Sequence, residues 1–203
     1  MSTFFAEKLK HTYSYQEFNQ MVKDLVAQGK TTGPNQSEAL LHYTELNLKR
    51  MTRLDKTSKL QPDLAEMLGN LKRNYIWLVI SEGWCGDAAQ IIPILNAMAE
   101  ASANVSLRLI LRDEHLDLMD KYLTNGARSI PVLICLDADS LEEIGFWGPR
   151  PLAPQKMVVD NKESHELSHD ELVLELQKWY NKDKTLSIQQ ELLRYMEKWE
   201  TDN

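Results

Sequence analysis

The chain has 203 residues, of which 43% are hydrophobic and 26% are charged, and its formal net charge is −7 at pH 7. This length suits one domain with additions, and an acidic balance without a basic stripe argues against a nucleic-acid partner. No apolar run is long enough to span a bilayer, and the N-terminus lacks the pattern of a signal peptide, so we expect a cytoplasmic protein with no membrane partner.

The first third of the sequence predicts helices. Residues 14–17 have the form of a capping box, and the apolar residues that follow lie on one face of a helix that ends near Gly29. A longer helix is expected at about 37–54, and Pro62 suits the first turn of a third, short helix. We therefore predict that residues 1–73 form a helical extension packed on the rest of the molecule.

From residue 75 onward, strand and helix patterns alternate. The predicted elements are strands at 75–80, 105–111, 130–136 and 143–147 and helices at 88–101 and 113–125. Their order describes a β-α-β unit followed by a helix and a hairpin, which predicts a mixed β-sheet covered by helices. Residues 168–171 again have the form of a capping box, so a helix follows them. We expect one domain at 74–182 and a final helix at 183–203.

Cys85 lies at the junction between a predicted buried strand and a predicted helix. It belongs to the stretch Glu-Gly-Trp-Cys-Gly-Asp-Ala at 82–88. Free backbone N–H groups and the positive end of the helix dipole favour an anion at such a point. Cys85 is therefore a candidate for a lowered pKa and for thiolate chemistry, and we expect it to be reachable from solvent.

The order and spacing of these features resemble the thioredoxin superfamily. The matching features are Trp84-Cys85-Gly86 after a strand, Pro93 eight residues beyond the cysteine, the Gly-x-Arg-x-Ile-Pro segment at 126–131 and the Gly-Phe-Trp-Gly segment at 145–148. The resemblance implies a thioredoxin-like α/β fold, with a central mixed β-sheet flanked by helices and with helical N-terminal and C-terminal extensions. It also implies a cis proline at Pro131 that faces Cys85. More narrowly, the helical extension and the Trp-Cys-Gly-Asp motif resemble a bacterial branch of thioredoxin-like proteins.

Two residues depart from the thioredoxin pattern. Thioredoxins carry Cys-Gly-Pro-Cys, whereas Ala88 stands here in place of the second cysteine. A mixed disulfide at Cys85 therefore needs a thiol from outside the motif for its release. Val79 occupies the position of the buried aspartate of thioredoxins, so that proton acceptor is missing. Glu82 and Asp87 are negative and oppose the helix dipole, which leaves the ionisation of Cys85 open.

The other cysteine, Cys135, is not expected to replace the missing one. It lies four residues beyond Pro131 along a predicted strand, or about 13 Å, whereas the Cα atoms of a disulfide must approach within about 7 Å. In a reducing compartment we expect both cysteines to be free thiols, with Cys135 as a small buried hydrophobic residue.

The resemblance implies a site around Cys85, which we expect to be the catalytic nucleophile. The residues expected to contact its substrate are Trp84, Gly86, Asp87, Ile130 and Pro131. A half-buried core position is an equal alternative for Trp84. Arg128 and Trp147 are candidates for the rim of the same cleft, with a structural role favoured for each.

Two functions fit this pattern. The first is a single-cysteine thiol–disulfide oxidoreductase that acts through mixed disulfides at Cys85 with a protein or a low-molecular-weight thiol or disulfide. The alternative is a non-catalytic thioredoxin-fold module that binds a protein or peptide on the same surface. No cofactor and no metal are expected, because His165 and His169 are four residues apart but no third ligand accompanies them.

Overall fold

The computed structural model describes residues 2–201, which form nine helices and four strands. The first part contains α1 (Ser2–Leu9), α2 (Tyr15–Ala27), α3 (Glu38–Thr57) and α4 (Pro62–Gly69). The central part consists of β1 (Tyr75–Ser81), α5 (Ala88–Glu100), β2 (Val105–Leu111), α6 (Leu116–Met119), β3 (Val132–Asp137) and β4 (Glu143–Trp147). The last part contains α7 (Leu152–Ser164), α8 (His169–Asp183) and α9 (Leu186–Thr201).

The four strands form one sheet in the order β2-β1-β3-β4. β1 runs parallel to β2 and antiparallel to β3, and β3 pairs with β4 as a hairpin. β1 lies inside the sheet and is buried over nearly its whole length, as its continuous apolar sequence predicts. The β-α-β unit, the hairpin and the mixed sheet flanked by helices are all present, so the predicted α/β fold is confirmed.

Capping boxes are present at the N-termini of two predicted helices, α2 and α8. The Ser14 hydroxyl accepts the N–H of Glu17 at 3.2 Å, and the Glu17 carboxylate accepts the N–H of Ser14 at 2.7 Å. Ser168 and Glu171 make the same pair of bonds at the start of α8. These side chains satisfy N–H groups that a helix otherwise leaves unpaired. Local sequence is therefore sufficient to start α2 and α8 where the prediction has them.

The N-terminal and C-terminal helices share one hydrophobic core with the sheet. α2 lies against α3 and β2, α3 lies against α5, and α9 lies against α4 and β4. Phe5 of α1 and Phe18 of α2 are buried in the same cluster as Trp77 of β1 and Ile188 of α9. None of the described helices has the length and apolar character needed to cross a membrane.

Four elements differ from the prediction, and one of them is α7, which is absent from the predicted elements. The prediction omits α1, whose eight residues are too few for a clear helical period. It also continues α6 to residue 125, whereas the N–H bonds to the fourth preceding residue end at Asp120 and tighter turns follow as far as Tyr122. β3 begins at Val132, two residues later than predicted, because Pro131 has no N–H to donate to a neighbouring strand.

Gly148 follows β4 at a point where the chain comes very close to the segment before β3. Its φ angle is +129°, and an added Cβ would lie 2.5 Å from the carbonyl oxygen of Pro131 and 3.3 Å from the Cα of Val132. A side chain at Gly148 is therefore opposed both by the backbone angle and by backbone atoms that have little room to move.

The Gly148→Ala variant is expected to lower the free energy of unfolding by about 1–3 kcal/mol, because it places a Cβ in a sparsely populated backbone region and against Pro131. Urea denaturation followed by circular dichroism measures the change. Gly69→Ala is the matched control, since Gly69 is helical and nothing lies within 4 Å of its added Cβ. The control is expected to be neutral or stabilising, and equal losses in both variants would contradict the interpretation.

A walled pocket around Cys85 as the candidate functional site

Cys85 lies in the turn between the end of β1 and the start of α5. Its Sγ accepts the N–H of Ala88 at 3.4 Å and donates to the carbonyl oxygen of Ile130 at 3.3 Å. The Ile130–Pro131 peptide bond is cis. The structure thus brings the cysteine motif and the segment before β3 together, although they are 45 residues apart in the chain.

The thiol of Cys85 is protonated at neutral pH. Only 7% of the residue is exposed, and burial, with the charge of Asp87 as the second cause, raises the pKa of Cys85 to about 12. The N–H of Ala88 and the charge of Arg150 act in the opposite direction. A helix dipole contributes about 0.3–1 kcal/mol, which is less than one pKa unit, so desolvation outweighs it. The expected solvent-reachable thiol is therefore buried, and burial raises the pKa of Cys85, whose ionisation the sequence left open.

Asp87 connects the cysteine motif to the C-terminal helices. One of its carboxylate oxygens lies 2.7 Å from an Nη atom of Arg150, in the segment between β4 and α7. The other accepts the hydroxyl of Tyr180 on α8 at 2.9 Å. Burial and the charge of Asp87 raise the pKa of Tyr180, which keeps that hydroxyl a donor. This buried group of three side chains, which we call the Asp87 cluster, holds α8 above the motif.

The other acid in the motif, Glu82, does not contact the thiol. It is 1% exposed, and its carboxylate accepts the backbone N–H of Asp113 at 2.9 Å, beyond the end of β2. Burial raises the pKa of Glu82. Val79 is a buried β1 residue paired with Leu109 and Leu133, so an apolar side chain stands where thioredoxins have their buried acid.

A pocket of about 380 Å³ opens above Cys85. It is bounded by the motif, by the loops before β3 and α7, and by three helices that the sequence does not mark as part of a site. The lining residues are Leu40, Tyr43 and Arg50 of α3, Trp84 to Asp87, Arg112, Arg128, Ser129, Ile130, Arg150, Val158 of α7, and His169, Leu172, Val173, Leu176 and Gln177 of α8. The thiol is thus at the bottom of a recess and not on an open face.

Four arginines line this pocket, and three of them are neutralised by a carboxylate. The ion pairs are Arg150 with Asp87, Arg112 with Asp113, and Arg128 with Asp120. The guanidinium of Arg112 also lies 4.7 Å from the ring centroid of Trp84, which is half-buried. Arg50 donates to the side-chain oxygen of Asn47 at 2.8 Å, and within residues 2–201 it forms no ion pair.

The pocket contains most of the predicted site residues. Trp84, Gly86, Asp87 and Ile130 line it together with Cys85, and so does the rim candidate Arg128, whereas the buried Pro131 is not part of the lining. The second rim candidate lies elsewhere: Trp147 is 3% exposed, and its indole N–H donates to Glu191 of α9 at 3.0 Å, so it has a structural role.

Cys135 is fully buried in β3, opposite Trp77 of β1. It is a free thiol whose pKa is raised by burial. These observations agree with the expected hydrophobic role.

The two histidines that are four residues apart lie in different elements. His165 caps the end of α7 and His169 begins α8, so the two do not share a helix.

Four residues of the site were missed by the sequence analysis: Arg50, Arg150, Gln177 and Tyr180. They reach the motif from α3, from the loop before α7 and from α8. Their spacing in the sequence carries no motif, because each is brought to Cys85 only by the packing of a different element.

The sheet order and the cysteine at the start of α5 define a protein of the thioredoxin-fold class. The family described as thioredoxin matches residues 33–168, which is more than half of the chain. The chain therefore belongs to the thioredoxin superfamily.

Two solved structures are similar to the chain. An HIV epitope scaffold is 19% identical, covers 91% of this chain and 98% of its own, and has a TM-score of 0.53, which shows a shared fold. A protein of unknown function from Pseudomonas aeruginosa is 18% identical, covers 81% of this chain and 95% of its own, and has a TM-score of 0.46. None of the curated proteins matches the chain.

Asp87→Asn is expected to lower the free energy of unfolding by about 3–5 kcal/mol, because the buried Arg150 loses its counter-charge. Chemical denaturation measures the loss. Asp120→Asn is the matched control, since it removes the carboxylate of the exposed ion pair with Arg128 and is expected to change stability little. Similar effects in both variants would show that the Asp87 cluster does not hold the C-terminal helices.

Proposed function

We propose that this protein is a single-cysteine thiol–disulfide exchange protein whose partners are small thiols and disulfides. The observation that carries the proposal is the position of the Cys85 thiol at the bottom of a pocket of about 380 Å³. Pockets of about 300–1,000 Å³ suit small molecules. A disulfide on a folded protein is a poor partner, since α3 and α8 stand between such a surface and the thiol.

The proposed exchange has two steps. The Cys85 thiolate attacks one sulfur of a small disulfide, a new S–S bond joins Cys85 to that half, and the other half leaves as a thiolate that takes up a proton. A second small thiol, as its thiolate, then attacks the mixed disulfide and restores Cys85. The disulfide bond passes between small molecules, so Cys85 needs no resolving cysteine. Small thiols are abundant in reducing compartments, which fits the cytoplasmic location that we propose.

The protein groups around Sγ act on its two protonation states in opposite ways. The carbonyl oxygen of Ile130 accepts a bond from the thiol and so favours the protonated form. The N–H of Ala88 favours the thiolate. With a pKa of about 12, Cys85 is almost entirely in its thiol form at pH 7. The proposed reaction is therefore slow at neutral pH unless a bound partner favours the thiolate.

The raised pKa of Cys85 also favours a second candidate function, a non-catalytic binding module. In that case the thiol is a wall atom of the pocket and the occupant is released unchanged. An extended peptide in this role would share the carbonyl oxygen of Ile130 with the thiol of Cys85, which already donates to it.

The pH dependence of Cys85 modification separates the two candidates. Incubation with hydroxyethyl disulfide, followed by peptide mass spectrometry, is expected to show a mixed disulfide at Cys85. Its rate should rise about tenfold per pH unit between pH 7 and 10, because the folded pKa lies above this range. In urea-denatured protein the rate should level off above about pH 9, since the free thiol has a pKa of about 8.5.

Cys85→Ser is the control and is expected to form no adduct at this position. If the folded protein forms no Cys85 adduct up to pH 10 while small molecules still bind in the pocket, the exchange proposal is wrong and the binding module remains.

Ala88→Cys is expected to convert single-cysteine exchange into dithiol reduction. Ala88 is buried, and its N–H already contacts the Sγ of Cys85 at 3.4 Å, so the new thiol begins close to the first. The variant should release the bound half of a mixed disulfide without added thiol, whereas the parent should keep it. The measurement is the time course of the Cys85 adduct by mass spectrometry. Equal lifetimes in the folded parent and variant would contradict the proposed exchange geometry.

A further inference from the structure

We infer that the Cys85 pocket binds a small carboxylate, whose anionic head lies between Arg50 and Gln177 above Gly86 and whose apolar body lies between α3 and α8. This inference rests on the proposed function for the identity of the site, and it names the chemical class of the molecule that enters. It does not require that Cys85 react with that molecule.

Arg50 supplies a cation that forms no ion pair within residues 2–201, although the charge of Asp87 acts on it from a longer distance. Its Nη1 donates to the oxygen of Asn47, and the amide of Asn47 donates to the carbonyl oxygen of Gly83 at 3.0 Å. The guanidinium is thereby tied to the cysteine motif. Burial, with Arg53 as the second cause, lowers the pKa of Arg50, although arginine stays charged at neutral pH. A partly buried charge without a partner is costly, and an incoming anion would offset that cost.

Gln177 supplies the second donor. It is only 9% exposed, and its Oε1 accepts an N–H from Gln90 of α5 at 2.7 Å, which turns its Nε2 toward the motif. Within residues 2–201 this Nε2 has no acceptor. This Nε2 is open to the pocket, so a ligand oxygen can accept from it without displacing a protein partner.

Gly86 keeps the space between these two donors open. A Cβ added to Gly86 would lie 3.4 Å from the Nε2 of Gln177 and 3.7 Å from the Nη1 of Arg50. Both donors therefore lie on the same side of Gly86, and an anion placed over this glycine can reach both. An alanine at position 86 would place a methyl group in ordinary van der Waals contact with both nitrogens and would take up part of this space.

The charges favour a carboxylate over a more highly charged anion. Each of the other three arginines is paired with an aspartate, so Arg50 is the arginine of the pocket lining that has no carboxylate of its own within residues 2–201. The carboxylate of Asp87 lines the same pocket and would repel a dianion. The remaining walls are apolar and include Leu40, Tyr43 and Leu172. A monoanion with a hydrocarbon or aromatic body matches both features.

A matched pair of probes tests the charge preference. Isothermal titration calorimetry compares 3-phenylpropanoate with its neutral amide, 3-phenylpropanamide, on the full chain carrying Cys85→Ser, which removes the exchange chemistry. The carboxylate is expected to bind about 10-fold to 100-fold more tightly than the amide, because charge-assisted bonds are the stronger ones. Equal affinities, or binding of neither probe to the folded protein, would overturn the inference.

Three variants locate the anionic head. Arg50→Gln is expected to abolish the preference for the carboxylate, and Gly86→Ala to weaken both probes about tenfold by occupying the space. Lys56→Gln, which removes an exposed cation on the same helix away from the pocket lining, is the matched control and should change neither affinity. If Arg50→Gln does not fold, Gly86→Ala alone tests the position of the anionic head. A carboxylate preference that survives in folded Arg50→Gln, or full affinity in Gly86→Ala, would contradict the proposed position.

The outcomes also separate this inference from the exchange proposal. A carboxylate preference in Cys85→Ser without any Cys85 adduct in the parent would support the ligand class and overturn the exchange. An adduct in the parent without a carboxylate preference in Cys85→Ser would support the exchange proposal and overturn the carboxylate inference.

Discussion

The arrangement of the site depends on one buried interaction, the ion pair of Asp87 with Arg150 that the hydroxyl of Tyr180 completes. Asp87 belongs to the cysteine motif, whereas its two partners come from the C-terminal part of the chain. Because removing one member of a buried pair leaves an uncompensated charge, the cluster holds α8 firmly above the thiol. In that position α8 forms one wall of the pocket above Cys85, together with α3 and α7.

Burial then decides the chemistry of the thiol. A cysteine at the start of a helix has a local field that favours the thiolate, and the N–H of Ala88 does point at Sγ. Desolvation acts more strongly and raises the pKa of Cys85 to about 12. On an open surface the local field would favour the thiolate, whereas here Cys85 is a protonated thiol at the wall of the pocket. In the inferred complex, Arg50 and Gln177 are the groups that recognise the negative charge of the carboxylate.

Much of the fold was predictable because its signals are local. The capping boxes at Ser14 and Ser168 satisfy helix N–H groups within four residues, and the continuous apolar run of β1 predicts a buried strand wherever it lies. The errors occurred where local signals are weak. α1 is too short for a period, and α6 ends in tight turns although its apolar residues keep a helical spacing.

The sequence by itself determined the α/β fold, the place of Cys85 at the start of a helix, and the absence of a resolving cysteine at Ala88, because each depends on residue types at short spacing. Only the tertiary structure decided how deeply Cys85 is buried and which side chains surround it. Desolvation depends on the elements packed overhead, and Arg50 and Gln177 converge on Gly86 from helices on opposite sides of the motif in the sequence. No local pattern encodes that convergence, since it arises only when α3 and α8 pack around α5.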